Sequence, residues 1–92
     1  MITERFLKRI EEAGYRDVLA AIIDCMYDVD NAIIQAVYRD RTVATLQVLK
    51  EDEMIARFVR DEIMYETNYS TSFYDNEDGL MFTIFLGGKN EK

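Results

Sequence analysis

The spacing of apolar residues switches between a helical and a strand period three times along the chain. Near the start, Phe6, Leu7, Ile10 and Ala13 recur at three- and four-residue intervals, the signature of one helical face. Ile2 and Thr3 precede this stripe in the positions of a hydrophobic staple and an N-cap, with Leu7 as the staple's second member. Gly14 then stands where a helix stops through a left-handed residue, and Tyr15 follows as the next position of a Schellman closure. A second helical stripe, Val18, Ile22, Cys25, Met26 and Val29, predicts a helix over about 17–28 that forms a hairpin with the first. The run DVDN, 28–31, reads as its end.

Beyond it the pattern changes. AIIQAVY and TVATLQVL are rich in β-branched residues, and Ala44, Leu46 and Val48 alternate with Val43, Thr45 and Gln47. This predicts a β-hairpin turning at RDR, 39–41, although that turn lacks the Gly or Asn that hairpins favour. A competing reading continues in helix after Asn31 through Ile33, Val37, Ala44 and Val48. It places Arg41 in the apolar stripe and relies on the mediocre helix formers Thr42, Val43 and Thr45, so strands are favoured for 32–49. Residues 51–66 return to helical spacing through Met54, Ile55, Phe58, Val59, Ile63 and Tyr65, with Glu51, Asp52 and Glu53 in the first turn, where the helix dipole favours acids. Finally YSTSFY and LMFTIFL flank DNEDG, a second hairpin. The expected order is α-α-β-β-α-β-β, a single α+β domain over residues 1–92: two N-terminal helices, a β-hairpin, a helix and a β-hairpin, giving a small, mainly antiparallel sheet covered by helices.

Charge sharpens this picture. The net charge is −7, and residues 51–78 carry nine acids against Arg57 and Arg60, which accounts for the whole excess. Direct binding to a phosphate backbone is disfavoured, because cationic side chains drive it. A basic protein surface is the complementary partner. No apolar run approaches the length that spans a bilayer, and MITERFLKRIEEAG is charged and amphipathic, as at a cytoplasmic N-terminus. The single cysteine, Cys25, has no internal disulfide partner and fits a reducing compartment.

The chain offers little to a catalyst. It has no histidine, the commonest general base and transition-metal ligand. Cys25 lies on an apolar stripe, the place of a small core residue. Ser70 and Ser72 lack a nucleophile elbow or a lysine partner, and glycines at 14, 79, 87 and 88 build no phosphate loop. Glu62 falls within the Ile55–Phe58–Val59–Ile63 face, where a carboxylate has a raised pKa unless paired; Arg39 or Arg41 are its candidate partners, or else the helix turns it to solvent. Aligning Gly79 with the sixth position of a calcium loop puts Asn76 and Asp78 at oxygen-donor positions, but Tyr74 and Phe85 fall at the first and twelfth, which require oxygen. The expectation is therefore no catalytic residue, no metal ligand and no cofactor.

Two surfaces carry the functional expectation. If strand 42–49 leads up to helix 51–66 and strand 69–74 runs up again, Glu51, Asp52, Glu53, Asp75, Glu77 and Asp78 gather at one end of the sheet, with Lys50 the one base among them. In the last strand, Leu80, Phe82, Ile84 and Leu86 supply one face while Met81 and Phe85 make the other apolar too, more than a one-sided sheet needs. Tyr74 adds an amphipathic ring of the kind enriched in interfaces. The expected partner-binding set is Glu51, Asp52, Glu53, Asp75, Glu77, Asp78, Tyr74, Met81 and Phe85, in a non-enzymatic acidic module that inhibits a protein partner by occupying its basic surface, with homodimerisation through the sheet face as a further possibility. In general type the chain is similar to the small acidic proteins that phages and mobile elements direct against host machinery, anti-CRISPR proteins and nucleic-acid mimics among them, a likeness of kind that no motif carries. An antitoxin- or immunity-type inhibitor fits the same physics, and a small carboxylate-dependent enzyme or calcium-binding domain is the remaining alternative.

Overall fold

The computed structural model describes residues 2–87. Three helices, α1 (Glu4–Glu12), α2 (Leu19–Tyr38) and α3 (Glu53–Glu66), lie against three strands, β1 (Val43–Val48), β2 (Ser70–Asn76) and β3 (Gly79–Phe85). The fold is a small α+β arrangement with an antiparallel sheet of order β1-β3-β2.

Local chemistry sets the first corner. The Thr3 hydroxyl accepts the Phe6 N–H at 3.0 Å and caps α1. At the other end Gly14 takes φ 78°, the Gly14 N–H donates to Glu11 O, and the Tyr15 N–H donates to Ile10 O, a complete Schellman closure. A 3₁₀ turn, Arg16–Val18, leads into α2.

Residues 32–38 are helical, not the first strand of a hairpin. Ile22, Met26, Val29 and Ala36 form one buried stripe that runs straight through DVDN, whose Asp28 and Asn31 stay at the surface, so the polar run does not interrupt the buried face. RDR is this helix's stop. Asp40 sits at φ 56°, its N–H donates to Val37 O, and the Arg41 N–H donates to Ala36 O. This is a second Schellman closure with an aspartate in the position that glycine usually holds. The strand expected over 42–49 does form as β1, so each reading of 32–49 describes one part of it.

The inner face of the sheet is apolar. Leu80, Phe82 and Ile84 of β3 join Ala44 and Val48 of β1 and pack beneath α2 and α3. Phe73 of β2 stacks on Phe82 with centroids 4.6 Å apart. At α1, Phe6 and Ile10 enter the same core, Phe6 lies 5.8 Å from Phe58, and Tyr15 meets Phe58 edge-on. Full burial of a Phe or Ile side chain contributes roughly 1.5–3 kcal/mol, so this continuous cluster is the main source of stability.

Candidate functional site

The register fixes which residues share the sheet's outer face. Val43, Phe85 and Ser70 form one row across the three strands; Thr45, Thr83 and Ser72 the next; Gln47, Met81 and Tyr74 the third. The helices pack on the opposite face, and among the described residues Val43, Thr45, Gln47, Ser72, Tyr74 and Phe85 are exposed on this one. Met81 is half-buried between Gln47 and Tyr74. The middle row is polar, so the apolar surface is divided. Tyr74 and Met81 stand at one end; Phe85 stands with Val43 at the other, four residues or roughly 13 Å along the strand.

The acidic residues converge on the Tyr74–Met81 end. Both β1 and β2 are antiparallel to β3, so they point the same way and deliver their C-terminal ends to one edge of the molecule. β1 runs into a 3₁₀ turn, Lys50–Asp52, and then the first turn of α3. β2 ends in Asp75 and Asn76, and Glu77–Asp78 is the hairpin turn. A shallow depression of about 460 Å³ lies between the two segments, lined by Leu49, Lys50 and Glu51 on one side and Asp75 to Gly79 on the other. Lys50 bridges them, 2.9 Å from Asp75 and 3.7 Å from Glu53, and the hydrogen bond to Asp75 raises its pKa. Arg57 pairs with Glu53 one turn along α3. Glu51, Glu77 and Asp78 project into solvent.

Two contacts hold these segments in register. Gln47 and Asn76 exchange amide hydrogen bonds at 2.9 and 3.2 Å, joining β1 to β2 across the start of β3. Asn76 Oδ1 also accepts the Asp78 N–H and closes the turn. The acid-flanked loop is thus spanned by its own amide. Gly79, at φ 136°, lies so close to β1 that a Cβ there would be 2.3 Å from Val48 O and 2.9 Å from Lys50 N. Only glycine allows the hairpin to seat against the β1–α3 connection.

The patch extends onto α2, which the sequence reading did not include. Asp24 and Asp28 stand beside Asp52 around a hollow of about 260 Å³ under which Cys25 is half-buried. Burial, and then the neighbouring Asp28 and Asp52 carboxylates, push the thiol up to about 11. The i, i+4 spacing of Asp24 and Asp28 about Cys25 was the available signal.

Glu62 belongs to a different site. It is 1% exposed, and its partners are Arg5 and Arg9 of α1, not Arg39 or Arg41. Arg9 Nη1 donates to Oε1 at 2.8 Å, Arg5 Nη2 donates to Oε2, and Arg5 also holds Glu66 at 2.6 Å. Arg5 lies over the Tyr65 ring and Arg9 over Phe58. Arg5 in turn draws the Glu66 carboxyl below its usual range. Arg39 and Arg41 follow α2 at the end of the sheet opposite the acidic cluster. With both Glu62 oxygens occupied by guanidinium groups, the network fastens α1 to α3.

Among the described residues no group of three His, Cys, Asp or Glu side chains is arranged to hold a metal ion, and no helix is long and apolar enough to cross a membrane. No protein-family model, no curated protein and no solved structure matches the chain.

Proposed function

We propose that the protein is a non-enzymatic binding module that works in the cytoplasm by occupying the basic surface of a protein partner, and so inhibits it. One observation carries this reading: the six-carboxylate cluster borders the Tyr74–Met81 end of an uncovered sheet face, so a charged rim adjoins an amphipathic and apolar anchor. Interfaces commonly combine these parts: buried aromatic or thioether anchors supply binding energy, while rim charges steer encounter and select partners. Thr45, Thr83 and Ser72 separate Phe85 from this patch, so it makes at most a secondary contact. The same acidic surface disfavours nucleic acid. An anti-host-defence inhibitor and an antitoxin-type inhibitor differ here only in the partner, and the retained protein's identity separates them.

The test is retention of a partner from a lysate of the source cells by tagged full-length protein at low salt. The expected result is a basic protein that is released as salt rises. It is lost when Glu51, Asp52, Glu53, Asp75, Glu77 and Asp78 become amides together, and weakened by Tyr74→Ala. Retention indifferent to all of these changes sinks the proposal.

A further inference from the structure

The sheet has two open edges, and different charges stand over them. Among the described residues β1 and β2 each pair with β3 alone. An edge strand offers its outward N–H and C=O groups to a further strand. In an antiparallel ladder every second residue points both groups away from its partner. The Leu86 N–H donates to Thr42 O at 2.8 Å, which fixes the phase on β1. Ala44, Leu46 and Val48 bond to β3, while Val43, Thr45 and Gln47 turn their backbone groups outward. β1 carries no proline and no charged residue, the usual guards of such an edge.

The hollow of about 260 Å³ lies beside this edge. Four successive residues, Leu46 to Leu49, line it, so it meets β1 along the strand's edge and not across one face. Gln47 turns its side chain to Asn76 and Leu80 O, which leaves its backbone to form that wall. Opposite stand Asp24 and Asp28 of α2 and Asp52, and among the described residues no Lys or Arg pairs with these three. Ile55 and Leu49 add apolar wall. The basic residues nearest in sequence are placed elsewhere: Arg39 and Arg41 precede β1 at the Val43 end, and Lys50 is held by Asp75 and Glu53. The β2 edge has the opposite guard. Arg57 and Arg60 of α3 lie 5.0 and 5.6 Å from the centre of the Phe73 ring on that strand. A basic segment is therefore repelled at β2 and drawn to the Leu46–Leu49 end of β1.

We infer that β1 takes up an extended segment of the basic partner as a fourth strand, with one Lys or Arg side chain seated in the hollow. A residue of that segment opposite Leu46 or Val48 points to the helix side, as they do. Its aliphatic stem lies against Leu49 and Ile55, and its cationic head meets the three carboxylates. Backbone bonds set where the segment lies, and the hollow selects its charge. This deepens the proposed function and rests on it for the basic character of the partner.

The probe is a blocked heptapeptide with threonine at alternate positions, valine between them and a single lysine at its centre. Titrated into the isotope-labelled full chain at low salt, it should bind with a Kd below about 1 mM. At saturation it should slow hydrogen exchange at the amides of Val43, Thr45 and Gln47. Changing Asp24 and Asp28 to Asn together, or the peptide's lysine to glutamate, should weaken binding by about tenfold or more. Methylating the backbone nitrogens of the peptide's threonines should abolish it. So should Thr45→Pro, because the N–H it removes makes no bond to β3. The methylated peptide leaves the protein untouched, so it decides the matter where Thr45→Pro fails to fold. No slowing at those three amides overturns the inference, as does binding indifferent to the two aspartates or to methylation. The two readings fail separately. A partner released by the six amides at the acidic end, with β1 unprotected by the peptide, sinks this inference alone. A partner retained by that variant, with the peptide still seated on β1, sinks the acidic-end reading alone.

Discussion

The molecule uses carboxylates in two ways, and the contrast between them shows where function is to be sought. At the α1–α3 contact, Glu62 is withdrawn from water and both its oxygens are held by arginines. At the far end of α3, six carboxylates share Lys50 and an edge contact from Arg57, and most project into solvent. A buried charge must be paired or it destabilises the fold, so its partners are fixed by folding itself. An exposed cluster is paired weakly, contributes little to folding, and leaves its field available to another molecule. The buried site explains why the fold stands; the exposed one offers something to a partner.

The largest expected effect breaks the first half of this contrast. Glu62→Ala takes from Arg9 its carboxylate partner at the α1–α3 interface and leaves Arg5 with Glu66 alone. Removing one member of a buried pair costs about 3–5 kcal/mol; Arg5 and Arg9 keep 37% and 31% of their surface in water, which puts the loss near the lower limit, at about 3 kcal/mol. Urea unfolding measures it, and a loss below about 1 kcal/mol would show that the network does not fasten α1. Gly79→Ala comes next, because its Cβ would meet Val48 O and Lys50 N and its φ is one that side chains disfavour. A loss of about 2 kcal/mol is expected from strain of this kind, together with displacement of the 77–78 turn from Lys50, visible as exchange broadening of the amides there. A smaller effect appears in acid. Glu66 has a depressed pKa because Arg5 hydrogen-bonds it, so its contribution is present above the usual carboxylate value near 4.5 and is lost as pH falls through the depressed value. Glu66→Gln should therefore lower stability slightly at neutral pH, flatten the acid limb of the stability curve in that window, and leave stability below it unchanged. The smallest effect belongs to the exposed cluster: changing Asp75, Glu77 and Asp78 to amides should alter stability by less than about 0.5 kcal/mol, by the same urea measurement.

What could be read from the sequence follows the same division between local and long-range causes. The Thr3 cap, the Gly14 stop, the alternation of β1 and the closing hairpin are written in a few adjacent residues, and each forms as expected. The meeting of Glu51–Glu53 with Asp75–Asp78 was also legible, because it depends only on strand direction, and β1 and β2 do run the same way. Residues 32–38 were misread because their β-branched composition favours strand locally, whereas Val29 and Ala36 are buried at helical spacing. Tertiary burial overrode propensity. The partner of Glu62 was misassigned for a related reason. Arg5 and Arg9 are four residues apart beside Phe6 and Ile10, a legible i, i+4 pair, but nothing local states that α1 lies across α3. Whether Met81 and Phe85 are covered likewise depends on where the helices pack, which is the sheet's inner face.

The central claim is that the acidic end serves a partner and not the fold. It is tested most directly by replacing Glu51, Asp52, Glu53, Asp75, Glu77 and Asp78 with amides together, verifying the fold by circular dichroism, and measuring retention of the low-salt partner beside wild type. The account expects a folded variant that retains no partner. A folded variant that retains the partner as well as wild type would contradict it.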